Sequence, residues 1–339
     1  MQTWCQTASW ILQIEEELFV DRFEGRVAVV TGGGTGMGRE LVRQLAAAGA
    51  HVAMCDVSAD NMAEAEALAE SGAASGVRLT SFVADVADEA SVLAFRDDVA
   101  ARHGSQLHLL FNNAGIGGGG SFVVDDRGEW EKTFDVCWGG VYICTRAFMP
   151  MLLDADAGHV VNTSSVNGFW ASLGPSIPHT AYSAAKFAVK GFTEALINDF
   201  RMNAPHLSAS VVMPGHVGTS IVINSQKAFG RDPKELTQEQ IVETRERLAK
   251  RGMDLSAASD EDIRIGLQFQ AEQFRDEAPL SASDAATIIL DGVLAGEWRI
   301  LVGDDAVALD ELVRAHPEEA YDDRLVGRLR ARGMFGFAL

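Results

Sequence analysis

From Arg26 onward, short β-branched runs alternate with longer stretches in which apolar residues recur at helical spacing. The runs fall at 27–30, 52–55, 79–84, 107–111, 160–163, 208–212 and 299–302, and they predict seven strands. Helices are expected between them, at 36–48, 59–70, 89–102 and 181–202, the last stopping ahead of Pro205 as a proline requires. Such alternation predicts an α/β fold: a Rossmann-type, doubly wound parallel sheet of about seven strands flanked by helices.

The pattern changes at 220–280 to charged helical sequence, with Thr237…Gln240 and Ser259…Asp262 spaced like capping boxes. This segment reads as a helical insertion covering the substrate side as a lid. Ser281…Asp284 opens a last sheet helix that ends at Gly296. The expected organisation is therefore an N-terminal extension at 1–24, a dinucleotide-binding catalytic domain at 25–305 containing the lid, and a tail at 306–339 outside the sheet. Ile11, Ile14 and Leu18 are spaced for an amphipathic helix in the extension. Gly117 to Gly120, after the fourth strand, reads as a mobile loop.

Composition narrows the functional classes. The 339 residues are 47% hydrophobic and 22% charged, enough for a substantial core. A formal charge of −20 argues against nucleic acid or an anionic membrane surface as a partner. No apolar run approaches the roughly 18 residues needed to span a bilayer. Met1 to Val20 carries Glu15, Glu16 and Glu17 and no basic residue, unlike a secretory signal. Cys5, Cys55, Cys137 and Cys144 have neither Cys-x-x-Cys spacing nor neighbouring histidines, so no disulfide frame and no metal site is expected. A reducing cytoplasm fits.

Thr31-Gly32-Gly-Gly-Thr35-Gly36-Met37-Gly38 leads from the first strand into a helix. Its glycines allow close backbone approach to a pyrophosphate, and the helix N-terminus stabilises the phosphate charge. Asp56 closes the second strand, 18 residues beyond Gly38, close to the spacing at which a carboxylate accepts the ribose hydroxyls. It would repel a 2′-phosphate, and Val57 and Ser58 supply no cation, so NAD is expected over NADP. Tyr182 and Lys186 stand four apart on one helix face. A neighbouring ammonium, together with an oxidised nicotinamide, would lower the phenol toward a value useful to a general base.

The set Thr31-Gly-x-x-x-Gly36-x-Gly38, Asn112-Asn113-Ala114-Gly115, Ser165, Tyr182-x-x-x-Lys186 and Pro214-Gly215 resembles the short-chain dehydrogenase/reductase family over roughly 26–219 plus the last strand. The resemblance implies NAD(H)-dependent interconversion of a secondary alcohol and its ketone. Tyr182 would be the general acid/base, with Ser165 orienting the substrate oxygen and Lys186 also holding the nicotinamide ribose. It further implies that Asp85 and Val86 meet the adenine, that Asn113, Ala114 and Gly115 line the adenosine side, and that Pro214, Gly215, Val217 and Thr219 lie at the nicotinamide end. Assembly as a homo-oligomer, a tetramer or dimer, is implied as well.

One position departs from the family. Cys137 stands where an Asn usually helps hold a water in the proton relay, and a thiol cannot copy a carboxamide. Slowed proton release is the expectation. Phe169, Trp170, Ile177, Pro178 and Met213 suggest a hydrophobic alcohol or ketone, although core packing is their ordinary use. His179 and His216 read as structural or substrate-contact residues. The alternatives are a catalytically impaired NAD-binding protein, motivated by Cys137, and a lyase or epimerase using the same site.

Overall fold

A computed structural model describes residues 23–173, 177–250 and 254–332; the expected helix of the extension lies outside them. Seven strands form one parallel sheet: β1 (Val27–Thr31), β2 (His51–Asp56), β3 (Leu79–Val83), β4 (Leu109–Asn112), β5 (Gly158–Thr163), β6 (Leu207–Pro214) and, last in the chain, β9 (Arg299–Val302). Their spatial order is β3-β2-β1-β4-β5-β6-β9. The order reverses between β1 and β4, so a crevice opens at their carboxyl ends, where α/β sheets bind ligands. β4 starts two residues later than its apolar run because the Leu107 amide donates to Met151 O, at 3.0 Å, instead of joining the ladder.

Alternate strand residues face opposite layers. Ala28, Val30, Val52, Met54 and Phe111 pack under α1 (Gly36–Ala47), α2 (Ala59–Gly72) and α10 (Ala282–Leu294). Val27, Val29, Ala53, Cys55 and Leu110 pack under α3 (Glu89–His103), α5 (Gly140–Leu153) and α6 (Thr180–Asn203). Burial on both faces explains why the strands read as unbroken apolar runs rather than as alternation. Each fully buried Val or Leu contributes roughly 1.5–3 kcal/mol before entropy is charged against it.

The long helix ahead of β5 differs from expectation. α4 (Arg127–Phe134), a π turn at Asp135–Gly139 and α5 join into one helix, Arg127–Leu153, of 27 residues, which by length and apolarity is sufficient to cross a bilayer. Half of its most apolar window is buried, and Cys144, Phe148, Met151 and Leu152 belong to the core beneath the sheet. Its apolar surface is used in packing.

The lid consists of α7 (Ile221–Ala228), α8 (Gln238–Lys250) and α9 (Asp260–Asp276). Both capping boxes form, with Thr237 Oγ1 accepting from the Gln240 amide and Ser259 Oγ from that of Asp262. A two-stranded parallel pairing of β7 (Val217–Gly218) with β8 (Leu280–Ser281) ties the two ends of the lid together. The tail contributes α11 (Asp304–Ala315) and α12 (Asp323–Ala331), outside the sheet. It is docked: Leu309, Leu312, Ala320, Leu325 and Leu329 enclose Trp170.

Candidate active site

The glycine turn after β1 and the Asn-Asn-Ala-Gly segment after β4 meet in the crevice. Thr31 Oγ1 accepts from the Asn113 and Ala114 amides at 3.0 and 3.1 Å, and Asn113 Nδ2 donates to Thr31 O at 3.1 Å. Gly38 is required by contact, since a Cβ there would stand 2.0 Å from Gly32 O. Gly36 has φ +55° and faces Thr219, whose Cβ would be 3.1 Å from any side chain added there. Thr35 precedes α1 without capping it, so the helix amides stay open toward the crevice. The Met37 side chain packs on the core, leaving its backbone N–H as what it can offer a phosphate.

Asp56 sits beside the turn, accepting from the Gly34 amide through Oδ2 and the Ser58 amide through Oδ1, both at 3.1 Å. Ser58, not Asp56, caps α2. Asp85 is an exposed turn residue whose Oδ1 accepts from the Ala87 amide at 2.9 Å, and Val86 is buried against Gly140. On the far side, Pro214 pairs with Val302 at the sheet end, and Val217 is buried in the core.

Three groups converge at the carboxyl ends of β4 and β5. The Ser165 hydroxyl stands beside the Tyr182 phenol, close enough to act on its ionisation, and Ser165 Oγ accepts from the Asn167 amide at 3.1 Å. Its neighbour Ser164 is committed elsewhere, donating to Lys186 O at 2.7 Å. The Lys186 ammonium, 2% exposed as a residue, donates to Thr163 O at 2.8 Å and lies 5.3 Å from the Tyr182 ring centroid. A methyl group on Gly115 would be 3.6 Å from Lys186 Nζ and 3.7 Å from Cys137 Sγ, so all three border one spot.

Electrostatics here departs from the expected acidic phenol. Burial, reinforced by the nearby Cys137 sulfur, raises Tyr182 well above the ordinary tyrosine value, and the neighbouring Ser165 hydroxyl opposes this only in part. Burial lowers Lys186, with Cys137 acting the other way. The free site thus holds a neutral phenol beside a desolvated Lys186 side chain. His179 lies against the Tyr182 ring, centroids 4.7 Å apart, and burial lowers it to about 4, so it is neutral at physiological pH. His216 donates through Nε2 to Phe274 O at 2.7 Å, fastening the loop after β6 to α9.

Cys137 lies in the π turn, fully buried, its thiol donating to Ile116 O at 3.1 Å. Gly117 to Gly120, expected to be mobile, is held at several points. The Gly117 amide donates to Ser225 Oγ on α7 at 2.8 Å, and that of Gly119 to Glu129 Oε1 at 3.1 Å. Gly119 and Gly120 carbonyls accept from the first amides of α6. Side chains at 118 and 119 would strike Phe229 and Ala181, so this run is glycine for close packing.

Two of the expected pocket residues are core. Trp170 is 2% exposed and Met213 is fully buried, whereas Ile177 is exposed. Sequence reasoning missed Glu129, Asn224, Ser225 and Asp305. Asn224 Nδ2 donates to Thr35 Oγ1 at 3.0 Å, and Asp305 Oδ2 accepts from the His216 amide at 2.7 Å. Their partners are remote in the chain, and no local pattern marks them.

A nucleotide crevice beside a Ser, Tyr and Lys cluster defines a dinucleotide-dependent oxidoreductase site. The family model for short chain dehydrogenase matches residues 26–229, and the chain belongs to that family. It is 35% identical to the oxidoreductase named SadH of Mycobacterium tuberculosis over 86% of this chain and 91% of that one. It is 33% identical to levodione reductase of Leifsonia aquatica over 64% and 79%. Among solved structures, a short-chain dehydrogenase/reductase from Burkholderia phymatum in complex with NAD superposes with TM-score 0.69 at 26% identity, covering 88% of this chain and 96% of that one. A metagenomic short-chain oxidoreductase in complex with NADP gives TM-score 0.50 at 25% identity, over 76% and 95%.

Proposed function

We propose that the protein interconverts a hydrophobic secondary alcohol and its ketone using NAD(H). The observation that carries this is the juxtaposition of Ser165 and Tyr182 with Lys186 5.3 Å from the phenol ring centroid, facing the glycine crevice. The crevice fits a dinucleotide: Gly38 lets the start of α1 pack directly on the Gly32 carbonyl, holding the helix amides at the crevice, and Asn113 Oδ1 is buried beside it without a partner among the described residues. Gly32, Gly36, Gly38 and the open end of α1 would hold the pyrophosphate, and Asp56 the ribose hydroxyls. Bound there, the cofactor supplies the hydride acceptor or donor.

Tyr182 moves the proton at its hydroxyl, giving it to the carbonyl oxygen in reduction and taking it in oxidation. Ser165 donates to the same oxygen and fixes its distance from the phenol. Lys186 favours the phenolate once it forms and can reach the cofactor ribose. Exposed Phe122, Val123 and Ile177 near the start of α6 support an apolar substrate. Asp56, already drawing two amides toward its carboxylate, supports NAD over NADP.

Copies pair across α5 and α6 as a homodimer or tetramer in this reading, supported by exposed Tyr142 and Phe187. A monomeric mass by light scattering would count against it. The buried thiols of Cys55, Cys137 and Cys144 suit a reducing cytoplasm.

The test is reduced-cofactor absorbance with NAD and NADP over a diverse panel of secondary alcohols, on wild type and Tyr182→Phe. Turnover with NAD that Tyr182→Phe abolishes is expected; near-wild-type oxidation by Tyr182→Phe overturns the assignment. The thiol bond to Ile116 O favours one second reading, an impaired NAD-binding protein. Tight NADH binding with no turnover anywhere on the panel would select it.

A further inference from the structure

The tail touches both loops that frame the candidate reaction centre. On the β5 side, Ser165 caps the short turn Val166–Gly168, and Asn167 Nδ2 donates to Trp170 O and Ser172 O at 3.0 and 2.8 Å, making the loop one stiff unit. The Trp170 ring leaves that unit and enters the tail, enclosed by Leu309, Leu312, Leu325 and Leu329. Its indole N–H donates to Ala320 O at 2.5 Å, and the Ala171 amide donates to the Tyr321 hydroxyl at 3.3 Å.

On the β6 side, Asp305, in the first turn of α11, accepts from the His216 amide and crowds Gly215 so closely that a Cβ there would be 2.2 Å from the carboxylate. Asp310 further along α11 pairs with Arg299 of β9 and with Arg314, fixing the helix to the sheet. One pair of tail helices therefore holds the loop carrying Ser165 and the Pro214–His216 loop in register.

We infer that the tail is a positioning element for the reaction and that Trp170 is its contact to Ser165. This rests on the reading of Ser165 and Tyr182 as the reacting pair. Trp170 touches neither substrate nor cofactor; it acts by keeping the Ser165 hydroxyl in place beside the phenol. Displacing a catalytic hydroxyl by about 1 Å costs up to about 100-fold in rate.

The experiment is a double-mutant cycle on the full chain. Wild type, Trp170→Ala, Ser165→Ala and the double variant are assayed with NAD and the best alcohol from the panel, with NADH binding and melting temperature measured in parallel. Trp170→Ala is expected to lower kcat by about 10- to 100-fold with NADH affinity unchanged within about twofold, and to cost nothing further once Ser165 is gone. Trp170→Phe, which keeps the ring and loses the indole donor, is expected to recover most of the rate.

Additive losses across the cycle, or wild-type kcat in a folded Trp170→Ala protein, overturn the inference. If Trp170→Ala does not fold, the same cycle is run with Trp170→Leu, which loses the ring and the indole donor while filling part of the niche, and additivity there overturns it equally. Absence of turnover by wild type across the panel is a different failure, that of the oxidoreductase reading itself.

Discussion

Lys186 Nζ lies 5.3 Å from the Tyr182 ring centroid while donating to Thr163 O, so the ammonium faces the ring from a position fixed by the strand and not by the phenol. Proximity alone therefore does not make Tyr182 acidic, and burial dominates in the direction of the neutral form.

In the proposed reaction, oxidation requires the Tyr182 phenolate as base, and reduction requires the neutral phenol as acid. Because burial raises Tyr182, the acid form prevails across the neutral range and the base form grows with pH. The rate of alcohol oxidation should climb by up to about tenfold per unit between pH 6 and 9, with ketone reduction nearly level over that range. Both are read from initial rates in matched buffers. Oxidation that is flat from pH 6 to 9 would show that a different group sets the proton transfer.

Cys137 fills its niche completely and gives its one proton to Ile116 O, so that carbonyl is engaged by a thiol. Replacing the thiol by Asn adds atoms in a closed space, at about 1–3 kcal/mol of stability. It also supplies a donor and an acceptor beside Lys186. If proton release limits turnover, Cys137→Asn should raise kcat severalfold and shrink the solvent deuterium isotope effect, while Cys137→Ser changes little. An unchanged kcat and isotope effect in Cys137→Asn would mean that the relay through this position matters little here.

Legibility in the sequence followed the range of the interaction. Gly36, Gly38, Asp56, Tyr182 and Lys186 act through spacings within one βαβ unit or one helix turn, and their arrangement was readable from the chain. The seven strands were readable for the same reason, because burial on both faces leaves continuous apolar runs. The Gly117 to Gly120 run was misjudged because glycine serves both loose loops and tight contacts, and only Phe229 and Ala181, far along the chain, distinguish the two. Trp170 reads as a pocket residue because nothing local marks a ring that turns away to meet the tail at Ala320, 150 residues later.

Glu129 is the joint between the glycine run and the lid. Oε1 accepts from the Gly119 amide at 3.1 Å and Oε2 from Arg231 Nη2 at 2.6 Å, with only 18% and 17% of the two side chains exposed. Glu129→Ala leaves a guanidinium without its carboxylate, costing about 1–3 kcal/mol. The lid end at Phe229 should loosen and the KM for the alcohol rise about 3- to 10-fold, with NADH affinity kept because Asp56 and the glycine turn are untouched. Steady-state kinetics and NADH fluorescence titration separate the two; parallel losses in both would remove the joint from this role.

Two histidines beneath the sheet set the acid limit of stability. His159 Nε2 meets Ser210 Oγ at 2.7 Å, and because that hydroxyl already donates to Glu297 O, the imidazole must be the donor, which selects its neutral Nε2–H form. His103 Nε2 meets Thr80 Oγ1 at 2.8 Å, while its Nδ1 is buried with no partner among the described residues, so a second proton there would find no acceptor. Burial lowers both to about 4 from 6.5. The unfolded chain then binds protons that the folded one refuses, so their contribution is fully present above about pH 6.5 and is lost as pH falls through about 4. For His103 the loss is on the order of 2–3 kcal/mol, a drop of roughly 5–10 °C in melting temperature for a chain of this size. Calorimetry at pH 7.0 and 4.5 should show the drop in wild type and a smaller one in His103→Gln. An equal drop in both would assign acid sensitivity to the carboxylates instead.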